Sequence, residues 1–138
     1  MKGEKVYLDT SSFLAIMDAD DKFHEQASDI WKKLVDSGVQ LLCSNYVVIE
    51  TSALLQRRLG IEALRAFYAN VWPGLTILWV DNDTHLAGVE AVLTARRRNL
   101  SLVDCISFIV ARRTGIEKVF AFDPHFKEYG FEMLKVST

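Results

Sequence analysis

The sequence predicts an α/β protein with a mainly parallel central sheet, and three observations carry that prediction. Short runs such as Val6-Tyr7-Leu8, Val39-Gln40-Leu41-Leu42-Cys43 and Val119-Phe120-Ala121-Phe122 are close to continuously apolar. Strands of that kind are buried on both faces, as in parallel sheets. Segments with apolar residues at 3–4 spacing separate them, which is the period of amphipathic helices. Strand and helix alternate along the chain, the pattern of a sheet crossed by covering helices. At 138 residues, 50% hydrophobic and 25% charged, the chain is long enough for one core and reads as a single globular domain over 1–138.

Each element has a local reason. Lys5 to Leu8 is the first strand, followed by a helix from about Ser11 to Asp18. Phe23, Ala27, Ile30, Trp31, Leu34 and Val35 make residues 22–36 an amphipathic helix, and Gly38 is placed to end it. Val39 to Cys43 is a strand, and Ser44 or Asn45 caps a helix running to about Leu59. Gly60 separates a further helix that stops before Pro73-Gly74. Thr76 to Val80 reads as a strand and 83–98 as a helix. Ser101 caps a helix over 102–114 that Gly115 closes, Lys118 to Phe122 is a strand, and Glu132 to Val136 is the last one. No linker, repeat or low-complexity stretch interrupts the series.

Charge and cysteine usage narrow the class. A formal charge of −2 excludes a generally basic nucleic-acid binder. All eight arginines fall between Arg57 and Arg113, with all eight lysines outside that segment. Arginine reads phosphate better than lysine, so this is a candidate substrate surface, although solvated helix faces are the simpler explanation. Cys43 and Cys105 lie in apolar runs without C-x-x-C spacing, which reads as buried free thiols in a reducing compartment. The first residues lead into a strand with no signal-peptide pattern, and no apolar run is long enough to span a membrane. The chain is expected in the cytoplasm.

Four carboxylates stand out. Asp9 and Asp123 each close an apolar strand, Glu50 lies in a helix among Tyr46, Val47, Ala53 and Leu54, and Asp104 opens the apolar helix beginning Cys105-Ile106. An ionised carboxylate against apolar surface is costly unless its charge is compensated. No Lys or Arg lies in sequence near enough to Asp9 or Glu50 to suggest an obvious partner, and a shared divalent cation is the economical compensation. Sites in parallel α/β folds form beyond the carboxyl ends of strands, where Asp9 and Asp123 sit. Mg²⁺ takes oxygen ligands and keeps several waters, so a few carboxylates suffice. Ordinary roles compete with this one. Ser101-x-x-Asp104 resembles a capping box, and Asp9 and Asp123 could cap a helix or turn. Glu50, inside its helix, has no capping role. Asp81 and Asp83 also follow a strand and are assigned to capping the next helix. His24 and His85 are expected to face solvent, whereas His125, beside Asp123, is a candidate for substrate contact.

Asp9-Thr10-Ser11 after a strand, a helical glutamate at Glu50, Ser101-Leu102-Val103-Asp104-Cys105-Ile106-Ser107-Phe108, and Phe122-Asp123-Pro124-His125-Phe126 together resemble a PIN-domain protein, similar to the VapC-type toxin ribonucleases. The resemblance spans essentially the whole chain. It implies an α/β/α sandwich, Mg²⁺ or Mn²⁺ held by Asp9, Glu50, Asp104 and Asp123, a polar helper at Thr10 or Ser11, and endonucleolytic cleavage of RNA. It also implies a homodimer and a small antitoxin partner. Val103 stands where relatives often carry Thr or Ser, so a supporting hydroxyl must come from Ser101 or Ser107. Pro124 stands where a basic residue is common. Three rival readings compete with this one. A haloacid-dehalogenase-like, aspartate-based phosphatase would need a second Asp where Ser11 stands, and a response-regulator receiver would need paired acids after the first strand. A PIN scaffold that binds RNA or a partner without cutting would be expected to have lost acids that are all present here.

Overall fold

The structure is a computed structural model and describes residues 3–135. Five strands form one parallel sheet: β1 (Lys5–Leu8), β2 (Gln40–Ser44), β3 (Leu75–Leu78), β4 (Lys118–Phe120) and β5 (Glu132–Met133), in the order β3-β2-β1-β4-β5. The helices are α1 (Thr10–Met17), α2 (His24–Ser37), α3 (Asn45–Leu59), α4 (Ile61–Asn70), α5 (Asn82–Ala95), α6 (Leu102–Arg113) and α7 (His125–Glu128). A 3-10 turn at Trp72–Gly74 joins α4 to β3.

The chain steps outward from β1 to β2 and β3, then crosses back to place β4 on the other side of β1. The β1–β4 boundary is therefore the switch point, where connections leave in opposite directions and open a crevice beyond the carboxyl ends. With the right-handed crossovers that parallel strands favour, this order puts α1 to α4 on one face and α5 to α7 on the other. Packing agrees, since α1 contacts α2 and α3, α3 contacts α4, and α5 runs along α6. Gly88 permits that last approach, because a Cβ there would lie 2.4 Å from Ile106 Cδ1. Val6, Tyr7 and Leu8 are fully buried, as a central strand requires. Phe13 meets Phe67 edge-on in one layer, and Phe108 packs on Phe126, Tyr129 and Phe131 in the other. These layers make the expected sandwich.

Several boundaries differ from the sequence expectation, most of them because a side chain takes over a backbone partner. The second helix begins at His24, not residue 22, because Asp18 and Asp21 accept the N–H groups of Asp20 and Phe23 and turn the chain first. The third strand stops at Leu78, and the Val80 N–H donates to Asn45 Oδ1 instead. The fifth helix ends at Ala95, with Arg96 left-handed at φ 54°, which puts Arg96-Arg97-Arg98 in a loop. The fourth strand ends at Phe120 because the Phe122 N–H turns to Ser11 Oγ. Val136, assigned to the last strand, lies outside the described residues. Cys43 and Cys105 are buried free thiols. No helix among the described residues is long and apolar enough to cross a membrane.

Candidate active site

The site starts from the backbone pairing of β1 with β4. The Asp9 N–H donates to the Phe120 carbonyl at 3.1 Å, which sets the end of β1 beside the end of β4. Asp9 is the N-cap of α1, and its Oδ2 accepts both the Ser11 N–H (3.2 Å) and the Ser11 hydroxyl (2.7 Å). The same hydroxyl accepts the Phe122 N–H at 3.0 Å. Ser11 thus ties the carboxylate to the loop that carries Asp123. Of the two expected helpers Ser11 is the one that touches Asp9, while the buried Thr10 hydroxyl has no hydrogen-bond partner among the described residues. Asp9 is only 4% exposed. Burial is the main force pushing its carboxyl up to about 7; the Ser11 hydrogen bond opposes this, and the charges of Asp104 and Asp123 add to it.

Asp104 enters the crevice from the start of α6. Its carboxylate accepts the Ser101 N–H at 3.0 Å while Ser101 Oγ accepts the Asp104 N–H at 3.1 Å, a complete capping box. Burial again raises its carboxyl above the usual range, Ser101 opposes, and Asp123 raises it further. Asp123 lies in the turn after β4, where its Oδ1 accepts the His125 N–H at 2.9 Å. His125 Nδ1 lies 2.8 Å from that Oδ1 and 3.8 Å from Asp104 Oδ2. The shorter contact is not an aligned hydrogen bond, and Nδ1 is buried without a hydrogen-bond partner among the described residues. One donor atom each from Asp104, Asp123 and His125 falls within 4.8 Å of the others.

The structure therefore sets Asp104, Asp123 and His125 within ligand distance of one another, with Asp9 at the adjoining strand end, near enough for its charge to interact with both acids. Glu50 is half-buried on α3 and has no hydrogen bond or ion pair among the described residues. The buried stripe of that helix is Val47, Val48, Thr51 and Leu55, so Glu50 sits at its margin and not in its centre. α3 nevertheless packs against both α1 and α6, the helices that Asp9 and Asp104 open. Asp81 caps α5 by accepting the Thr84 N–H at 2.8 Å, as expected. Two histidine expectations need correction. His24 and His85 are half-buried, with Nδ1 of one on the Ala15 carbonyl and that of the other on the Tyr46 hydroxyl. Surface helix starts can still turn a side chain inward when a polar partner waits there.

The surroundings are structural or apolar. Ser107 supports the core beneath the site: Tyr7 donates to Ser107 Oγ at 2.8 Å and accepts the Ser44 N–H at 3.4 Å. Burial holds the Tyr7 phenol well above its usual range. Four arginines of the arginine-only segment have partners within the protein, Arg65 on Glu62, Arg97 on Glu128, Arg112 on the Tyr129 carbonyl and Arg113 on Thr84, while Arg96 and Arg98 are exposed. Beside Asp123, a cleft of about 230 Å³ is lined by residues including Ser11, Lys22, Phe23 and Phe122. The Phe23 and Phe122 rings stack there at 4.5 Å. A separate groove at Gly3, Lys5 and Lys118 lies at the amino ends of β1 and β4, the far edge from the acids. His125 was expected beside Asp123 as a candidate for substrate contact, whereas its approach to Asp104 and the Phe23–Phe122 wall were not legible beforehand. The Asp123-Pro124 turn signal was the available clue.

Ser11→Ala should destabilise the protein by about 1–3 kcal/mol, because it leaves the Phe122 N–H unpaired and removes one of Asp9's two donors. Ser11→Thr should retain most of that stability. Urea unfolding of both variants checks this, and an unchanged Ser11→Ala midpoint would mean the hydroxyl ties nothing.

Residues 6–132 match the PIN domain. Over 127 residues, 91% of this chain and 95% of the relative, the sequence is 32% identical to the 23S rRNA-specific endonuclease VapC20 of Mycobacterium tuberculosis. The crystal structure of that protein, described as a Sarcin-Ricin loop cleaving toxin, superposes with a TM-score of 0.82 over 95% of this chain and 99% of that one. VapBC2 from Rickettsia felis (TM-score 0.69, 12% identity, 94% and 97% coverage) and FitAcB from Neisseria gonorrhoeae (0.68, 14%, 94% and 96%) share the fold. With its parallel sheet, its acids at the switch point and this match along nearly its whole length, the chain belongs to the PIN-domain family.

Proposed function

We propose that this chain is an endoribonuclease that hydrolyses RNA phosphodiester bonds with a divalent ion, Mg²⁺ or Mn²⁺, held by Asp9, Asp104 and Asp123 with Glu50 contributing from α3. One observation carries the reading. Three carboxylates, two of them at least nine-tenths buried, converge on the switch-point crevice, and no Lys or Arg pairs with any of them among the described residues. Such a cluster suits a cation that takes oxygen ligands.

When bound, the ion supplies charge stabilisation at the phosphoryl oxygens and an activated water. The chain supplies position. Ser11 and Ser101 hold the Asp9 and Asp104 carboxylates in single orientations, so little reorganisation is left for the moment of reaction. Burial pushes the Asp9 carboxyl up to about 7, so below that pH a proton competes with the ion, and affinity should rise with pH. Asp123, the most accessible of the three, stands beside the cleft walled by Phe23 and Phe122. RNA reaching the acids from solvent would pass there.

The similarity to a 23S rRNA-specific endonuclease makes 23S rRNA the substrate to test first, and a toxin role with a small antitoxin the partner to seek. A homodimer and a cytoplasmic setting belong to the same proposal. Exposed Val35, Ile61, Tyr68, Leu86 and Leu93 offer apolar surface for such partners. Incubation of the purified protein with ribosomal RNA, followed by mapping of cut ends, tests the activity. Mg²⁺ or Mn²⁺ should support discrete cuts and EDTA should abolish them. Intact RNA under every metal condition would favour a binding scaffold instead.

A further inference from the structure

We propose that His125 is a nitrogen ligand in the same ion site, which makes this a mixed carboxylate–imidazole centre selective for Mn²⁺ over Mg²⁺. The inference rests on the metal-dependent reading above and deepens it. His125 is 9% exposed, and its Nδ1 is buried with no hydrogen-bond partner among the described residues, an uncommon state for a ring nitrogen. That atom is aimed between two carboxylates, 2.8 Å from Asp123 Oδ1 and 3.8 Å from Asp104 Oδ2. A ring nitrogen lone pair facing a carboxylate oxygen at such range is repulsive unless positive charge lies within reach of both. Adjacent ligand atoms on a six-coordinate ion with bonds of about 2.1 Å lie about 3 Å apart, and the two observed separations bracket that value.

The ring is held there from two sides. The His125 backbone N–H donates to Asp123 Oδ1 at 2.9 Å. The next residue, Phe126, is fully buried and packs edge-on against Phe108 at 5.0 Å between centroids. The other two histidines, His24 and His85, have their own partners on Ala15 and Tyr46, which leaves His125 as the imidazole at the acids. Mg²⁺ seeks oxygen, whereas imidazole suits first-row transition ions. One nitrogen among the carboxylates therefore tilts the site toward Mn²⁺.

The test uses the whole protein, stripped of ions, titrated with Mn²⁺ under electron paramagnetic resonance, with Mg²⁺ as competitor. Wild type should bind Mn²⁺ at least about tenfold more tightly than Mg²⁺, and the bound Mn²⁺ should show ¹⁴N modulation in its spin echo. His125→Gln should lose that modulation and most of the preference while still binding Mg²⁺. Bound Mn²⁺ without ¹⁴N modulation in wild type overturns the nitrogen ligand and leaves the nuclease reading intact, whatever the variant does. Modulation that survives in His125→Gln overturns it equally. Failure of wild type to bind Mn²⁺ at all overturns both.

Discussion

Asp9→Asn and Asp104→Asn should each slow RNA cleavage by about 10³-fold at pH 7.5 in Mn²⁺, while Asp81→Asn cuts at the wild-type rate. Loss of one ligand charge removes several kcal/mol of the stabilisation the ion can deliver, and about 4 kcal/mol is three orders of magnitude in rate. Both substitutions are close to isosteric. The Asn oxygen can still accept the Ser11 donors at residue 9 or the Ser101 N–H at residue 104, so the fold should survive. Glu50→Gln should fall with them, because α3 packs against the helices opened by the other two acids. Asp81 also stands at the start of a helix after a strand, but it is exposed and its carboxyl is held below the usual range by the Thr84 hydrogen bond. Single-turnover cleavage with all four variants decides the matter. An inactive Asp81→Asn beside an active Asp104→Asn would move the site elsewhere.

The same Asp9→Asn change should stabilise the protein when no ion is present. Asp9 ionises near 7 in the folded chain against an ordinary 3.8. A raised folded value means that the native state favours the proton. Its contribution to stability is fully present below about pH 4 and is lost as pH rises toward and through about 7. The difference corresponds to about 4 kcal/mol lost from the ion-free wild type across that window, and the raised Asp104 carboxyl works in the same direction. Asn at residue 9 removes the largest part of that loss. In EDTA, wild type should therefore melt lower at pH 7.5 than at pH 5.5, and Asp9→Asn should melt higher than wild type at pH 7.5. An ion that binds only the folded state adds about 2.7 kcal/mol at a hundredfold excess over its dissociation constant. That gain should appear in wild type and be blunted in the variant. Identical melting of wild type and Asp9→Asn in EDTA at both pH values would mean that the Asp9 charge is not buried at cost.

The sheet and most helices could be read from period and punctuation, because apolar runs, Ser44, Gly60 and Ser101 act locally. Strand order could not: nothing in Val6-Tyr7-Leu8 states that its neighbours are β2 and β4, and that order is what makes the Asp9–Asp123 boundary a crevice. For Asp9 and Asp104 the capping role and the proposed site role are compatible. Each caps its helix, and that cap is what holds the carboxylate in place. Glu50 was singled out as a charge on an apolar face, but Ala53 is exposed and Tyr46 and Leu54 are half-buried, so the face is a margin. Helix periodicity locates a stripe but not its edge. His125 was harder still. Its importance comes from a four-residue helix and from distances to residues two and twenty-one positions away, to which no periodic pattern points.

The most direct test couples occupancy to chemistry in one sample. Ion-free protein at pH 7.5 is mixed with 23S rRNA, and Mn²⁺ is added in steps while free Mn²⁺ and cut RNA are measured together. Cleavage should be absent at zero ion, should rise in step with bound Mn²⁺ and level off when the site fills, and Asp9→Asn should show neither tight binding nor cutting. Full cleavage before any Mn²⁺ is bound, or Asp9→Asn cutting at the wild-type rate, would contradict a metal-dependent nuclease centred on these acids.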